Sequence, residues 1–236
     1  MDEADAGSSS SQQPSYLRDH RQRLRDRFLT GGAKAMPDYE LLELVLFRAI
    51  PRRDVKPLAR SLMDIFGDFN SVLSASGDRL SEISGVGPAV VLELKLVEAA
   101  AQRLSRARIM QRPVLTNWDQ LLTYCHMAMA HLETEQFRIL FLDNKNILIA
   151  DEAVANGTVD HVPVYPREVV KRSLALNACA LILVHNHPSG DPSPSEADIQ
   201  MTHNIAAALN TMGITLHDHL IIGKSAEISF RGQGLL

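Results

Sequence analysis

Only two cysteines occur among the 236 residues, Cys125 and Cys179. Two cannot build a disulfide framework or a Cys-x-x-Cys zinc knuckle, and such sparse usage suits a reducing, cytoplasmic compartment. No apolar run reaches the ~18–20 residues that a membrane-spanning helix needs, so no membrane partner is expected. The opening stretch, MDEADAGSSSSQQPS, lacks the basic leader and apolar core of a secretory signal. No internal repeat is present. A general excess of positive charge is missing too: the net charge is −4. It divides unevenly, with 17 Lys and Arg against 15 Asp and Glu in residues 1–112, but 7 against 13 in residues 113–236. Phosphate binding displaces counterions from cationic groups, so the acidic second half is a poor nucleic-acid surface and any such contact belongs to the first half.

What is present is the material of folded cores. The chain is 45% hydrophobic and 22% charged, with 13 Gly and 11 Pro, which excludes a collagen-like or wholly disordered protein. Its length accommodates two domains of ordinary size. Residues 1–16 are Ser/Gln-rich and read as a disordered tail. Residues 17–107 read as helical throughout: a short, loosely docked Arg-rich helix over 17–29, then an apolar helix opened by Pro37-Asp38 with Leu41, Leu42, Val45 and Leu46 at helical spacing. Further helices are expected over 54–66 and 69–73, and a long one follows Gly85-Val86-Gly87. Arg108–Thr116, with Pro113, reads as a linker.

Residues 114–236 change character. Asn117 resembles a capping residue for a helix to about 131. Strands are expected over 137–142 and 147–154 around the turn Asp143–Asn146, over the unbroken apolar run 178–184, and over 214–222 with an edge at 228–230. Helices are expected over 166–176 and 195–210. The fold class is therefore α+β, an all-helical module followed by a mixed α/β domain.

The segment His185-Asn186-His187-Pro188-Ser189-Gly190-Asp191-Pro192-Ser193-Pro194-Ser195-Glu196-Ala197-Asp198 carries the chemistry. Two histidines two apart leave the carboxyl end of a buried strand on one face, where α/β proteins place ligands. Two imidazoles hold one dication, and after the Pro-rich loop Asp198 in the first turn of a helix supplies an anionic oxygen. Two neutral histidines and one aspartate leave a fourth position open, the layout of catalytic zinc. Each part also has a plainer use: Ser195-x-x-Asp198 is a capping-box variant, and His-x-His on a strand can be hydrogen-bonded structure. Their coincidence favours the metal, since folding does not require these features together.

His185-x-His187-x(7)-Ser195-x-x-Asp198 resembles the H-x-H-x(7)-S-x-x-D pattern of the JAMM (MPN/JAB) metalloproteases. The wider string LILVHNHPSGDPSPSEAD is similar to the RadC-type bacterial branch, as are PVYPREVVKRSLALNACA, DHLIIG and, in the first half, MPDYELLELVLFRAIPRRDVKPLAR with GVG. The resemblance covers most of the chain beyond residue 17. It implies an MPN fold, similar to that of the cytidine deaminases, with zinc on His185, His187 and Asp198. It also implies a general base at Glu135, preferred over Glu133 because it abuts the apolar strand. Ser195 would donate to the developing oxyanion, and the substrate would be a peptide or protein whose amide or isopeptide bond is hydrolysed, with specificity set by loops 155–165 and 188–194. A non-enzymatic DNA-processing factor using this domain as a scaffold is the alternative. A zinc nucleobase deaminase is disfavoured, because H-x-E and P-C-x-x-C are both missing.

Three smaller features complete the reading. Leu80-x-x-Ile83-x-Gly85-Val86-Gly87 before a helix resembles a helix-hairpin-helix, in which Gly85 and Gly87 would let backbone amides approach a DNA phosphate. The tight helix–helix turn is an equal reading, and the thin basic footprint nearby limits the expectation to weak, sequence-independent binding. His217-Asp218-His219 reads as packing, with Asp218 as a carboxylate that orients a metal-bound histidine. Cys125 and Cys179 both read as inert core.

Overall fold

The computed structural model describes residues 15–156 and 164–236. All but the last two residues of the 1–16 tail lie outside this range, as do residues 157–163 of the 155–165 loop. The chain divides into two compact units: residues up to Leu73 with Gly77–Leu96, and Ser74–Ser76 with Val97–Leu236.

The first unit is helical: α1 (Ser15–Gly31), a 3-10 turn at Ala33–Ala35, α2 (Asp38–Ala49), α3 (Lys56–Phe66), α4 (Phe69–Ser74), α5 (Gly77–Ser81) and the start of α6 (Pro88–Ile109). The Arg-rich helix is longer than expected and firmly held. Leu24 is buried, and the buried Arg21 guanidinium donates to Phe47 O, Ile50 O and Arg53 O, the last two at 2.6 Å. A cation thus satisfies carbonyls at the negative end of α2. The buried residues of α2 are Glu40, Leu42, Glu43, Leu46 and Phe47, so of the four apolar positions expected at helical spacing Leu42 and Leu46 are buried and Leu41 and Val45 half-buried. On the same buried side, Glu43 Oε2 meets His20 Nε2 at 2.8 Å.

The second unit is a sheet between helices. After α7 (Trp118–Met129) come β1 (Gln136–Leu142), β2 (Leu148–Asn156), α8 (Pro166–Ala175), β3 (Ala180–Asn186), α9 (Glu196–Thr211), β4 (Thr215–Ile222) and β5 (Glu227–Ser229). The strand order is β2-β1-β3-β4-β5, with only β3 and β4 parallel. A parallel pair needs a crossover, and α9 is that crossover. One sheet face, with Leu140, Leu142, Ile182, Val184 and Leu220, packs on Leu121, Cys125 and Met129 of α7. The other, with Phe137, Ile139, Leu181 and Leu183, packs on Val169 of α8 and Ile205 and Leu209 of α9. Every residue of β3 is buried, as its unbroken apolar run requires.

Three expectations about this unit change. Asn117 does not cap α7 with its side chain; its amide donates to Pro113 O at 2.8 Å instead. The stretch read as a linker is tethered, with Gln111 N donating to Leu148 O and Val114 N to Asn146 O. Strand β3 starts at Ala180, so Cys179 sits in the preceding turn and is exposed. Cys125 is buried as expected, and burial pushes its thiol up to about 12, which keeps it protonated and inert.

Candidate metal centre

Because β3 runs two residues further than the apolar pattern suggested, His185 is its penultimate residue and its side chain is buried at 2% exposure. On one side His185 stacks on Phe137, its partner across the β1–β3 ladder, with centroids 6.0 Å apart. His187 follows the strand, held by its backbone N–H to Ile222 O at 3.0 Å. Its Nδ1 lies 2.8 Å from Asp191 O, so the ring donates there and turns Nε2 inward. The two Nε2 atoms approach to 3.0 Å.

Asp198 arrives on the first turn of α9. Its Oδ1 is 3.3 Å from His185 Nε2 and its Oδ2 is 3.6 Å from His187 Nε2. Glu135, immediately before β1, places Oε1 3.9 Å from His185 Nε2 and 3.7 Å from His187 Nε2. Among the described residues, Glu135, His185 and His187 form a group whose ligand atoms all lie within 4.8 Å of one another. Asp198 is nearer than Glu135 to each imidazole. All four are thus gathered at one point, the carboxyl end of the parallel pair.

The plainer reading of Ser195 also holds. Its Oγ accepts from Asp198 N at 3.2 Å and donates to Asp198 Oδ2 at 2.6 Å, while Ser195 N donates to that oxygen at 2.8 Å. This is a complete capping box on α9. It fixes Oδ2 and leaves Oδ1 facing His185, so cap and site are one construction.

The groups that hold these side chains were not evident from the motif. Asn186, between the two histidines, is buried; its side-chain oxygen accepts from Gln136 N at 2.9 Å and its amide donates to Thr134 O at 3.1 Å. It clamps the peptide units on both sides of Glu135. His185 Nδ1 meets His219 Nε2 at 2.8 Å, and His219 Nδ1 meets Thr202 Oγ1 at 2.6 Å. The histidine-orienting role expected of Asp218 therefore falls to His219. Asp218 instead accepts from Ser229 Oγ and from Arg231 N, and His217 turns to Asn146 at 2.6 Å.

The rim loop 188–194 is fixed by close backbone approach. Gly190 has φ +92, and Lys224 N donates to its carbonyl at 3.3 Å. A Cβ at Gly223 would collide with that same carbonyl. Gly85 and Gly87 belong to the helical unit. Gly85 has φ +92 and lines a cavity of about 340 Å³ with Arg53, Leu58 and Ser84, whereas Gly87 lacks a positive φ.

Burial pushes His185 down from its ordinary 6.5 to about 4, with the Asp198 charge opposing and His187 assisting. Burial likewise holds His219 well below the usual range. His187 goes the other way, raised chiefly by its hydrogen bond to Asp198. Burial works to raise the Asp198 carboxyl, but its bonds to His187 and Ser195 and the His185 charge hold it well below the usual carboxylate range. For metal-free protein, the unfolded chain takes up protons between about 6.5 and 4 that folded His185 and His219 refuse. Stability therefore falls as the pH drops through that window, by on the order of 3 kcal/mol from His185 alone. The raised pKa of His187 gives no offset there: its contribution is complete below 6.5 and lost only as the pH rises through its folded value. Thermal unfolding in chelator between pH 7 and 4 checks this, and a flat melting temperature would contradict it.

The donor set suits a borderline dication. The two imidazole nitrogens are 3.0 Å apart and each has one oxygen of the Asp198 carboxylate at 3.3 or 3.6 Å, a spacing close to that of ligands held ~2.0–2.1 Å from one ion. An α/β sandwich with such a centre at the end of its parallel strands is the architecture of a JAB domain, and the RadC-like JAB domain model matches residues 115–235. The UPF0758 N-terminal model matches residues 18–92. A UPF0758 protein of Ruegeria pomeroyi is 69% identical over 223 residues, 94% of this chain and all of the relative. Another, of Rhodobacter capsulatus, is 71% identical over 213 residues, 90% of this chain and all of the relative. The chain belongs to the UPF0758 family of RadC-like proteins. Among the described residues no helix is long and apolar enough to cross a membrane.

Proposed function

We propose that the protein is a zinc-dependent hydrolase that cleaves an amide, peptide or isopeptide bond with activated water. The observation that carries this reading is the convergence of Glu135, His185, His187 and Asp198 at one partly open point. His185, His187 and Asp198 would hold the ion. Zinc so held supplies Lewis acidity, lowering the pKa of water toward ~7 and polarising a carbonyl.

The protein's own groups do the rest. Glu135 Oε1 lies 3.9 and 3.7 Å from the two imidazole nitrogens, within reach of a water bound at the same point. Its carboxylate takes the proton of the attacking water and passes it to the departing amine. Asn186 keeps the Glu135 backbone in place during that exchange. Ser195 Oγ, after turning from Asp198 Oδ2, donates to the oxyanion that develops on the carbonyl.

Metal removal tests the reading. Purified protein is expected to contain about one equivalent of zinc and to hydrolyse members of a peptide and isopeptide panel followed by mass spectrometry. Chelation should abolish hydrolysis, and added zinc should restore it. Hydrolysis that persists in metal-free protein would refute the proposal.

A further inference from the structure

His185 has a choice of two nitrogens for its proton, and only one choice leaves a lone pair for a metal. The hydrogen bonds behind it make the choice, starting from the far end. A backbone carbonyl can only accept, and Asp198 O accepts from Thr202 Oγ1 at 2.6 Å. That bond uses the only proton of Thr202, so towards His219 Nδ1, 2.6 Å away, the hydroxyl oxygen can only accept. His219 is fully buried between Phe137 and Phe230. With its proton on Nδ1, it presents a bare Nε2 to His185 Nδ1 at 2.8 Å. His185 must then donate from Nδ1, and its own Nε2 faces His187 and Asp198 without a proton.

We infer that Thr202 and His219 are positioning residues that fix the tautomer of His185 and so reserve its Nε2 for a metal ion. The chain of bonds begins at one ligand, His185, and ends on the backbone of another, Asp198. It therefore ties β3, β4 and α9 together behind the centre. The inference rests on the zinc reading above. It assigns to Thr202, otherwise a buried helix residue, a role in metal affinity.

The test is Thr202→Val, which keeps the shape and removes the hydroxyl. His219 Nδ1 then has no acceptor, and His219 is free to carry its proton on Nε2. It would donate to His185 Nδ1 and drive the His185 proton onto Nε2, where the metal must bind. The expected result is a Kd for zinc weakened by ~10–100-fold, the usual cost of losing a partner behind a metal ligand. Thr202→Ser should restore wild-type affinity. Thermal unfolding of each full-length variant reports folding, and Thr202→Ala replaces the valine variant if that one does not fold.

Nitrogen-15 spectra of the metal-free protein give a second readout. Protonated Nδ1 is expected on both His185 and His219 in the wild type, moving to Nε2 in Thr202→Val. Equal zinc affinity in wild type and both variants would overturn the relay and leave the metal site standing. A wild type that binds no zinc would overturn the metal site instead. The spectra would then decide the relay alone, and a protonated His185 Nε2 in the wild type would refute it.

Discussion

Replacing His185 and His187 together by alanine should take zinc from about one equivalent to background, and His187→Ala alone should come close to the same result. Each imidazole is a neutral nitrogen donor that no nearby group can replace. The carboxylates of Asp198 and Glu135 would remain, and two oxygens are a poor set for a borderline-soft ion. The single variant is the cleaner experiment. His185 lies in the packed end of the sheet against Phe137, so its truncation also leaves a cavity, whereas the His187 side chain is 17% exposed. Elemental analysis after gel filtration measures the metal, and circular dichroism confirms the fold. Unchanged zinc in the double variant would place the ion elsewhere in the chain.

Glu135→Gln should leave zinc content unchanged while lowering amide hydrolysis by ~10²–10⁴-fold, the usual contribution of a general base. The substitution keeps size and hydrogen-bonding shape but removes the proton acceptor. This variant also discriminates between two geometries in the structure. Glu135 falls within the 4.8 Å ligand cluster, yet Asp198 is closer to both imidazoles. If Glu135→Gln loses zinc together with hydrolysis, Glu135 is a ligand and the base must be sought elsewhere. Metal analysis and mass-spectrometric product detection on the same preparation separate the two outcomes.

The legible and illegible parts of this molecule divide along sequence distance. The helices of the first half, the individual strands and the His-x-His…Ser-x-x-Asp spacing all depend on neighbours or on a short loop, and local periodicity reports those. Element ends were harder to place. The apolar run 178–184 suggested a strand that stops before the histidines, but pairing with β1 and β4 carries β3 through Asn186 and leaves Cys179 outside it. The Ser195–Asp198 pair looked like a choice between a helix cap and a metal ligand. The structure shows that a carboxylate has two oxygens and can be bonded through one while facing the site with the other. The supporting groups were legible only in part: the 217–219 segment reads as packing behind a histidine, but which of its residues meets His185 could not be read. Asn186 finds Thr134 and Gln136 across the sheet, and His219 finds His185 and Thr202 from a different strand and a helix. Asp218 was the reasonable guess because it is acidic. It faces away because successive strand residues alternate sides, and the ligand-facing side belongs to His219.

The Asn186 clamp has a mechanical consequence. One residue of the histidine-bearing strand grips the peptide groups flanking Glu135, so this carboxylate and the imidazoles are held from one stretch of main chain. The 188–194 loop joins that frame through His187, whose ring is held by the Asp191 carbonyl, so displacing the loop would swing this imidazole while the Glu135 backbone stayed in its clamp.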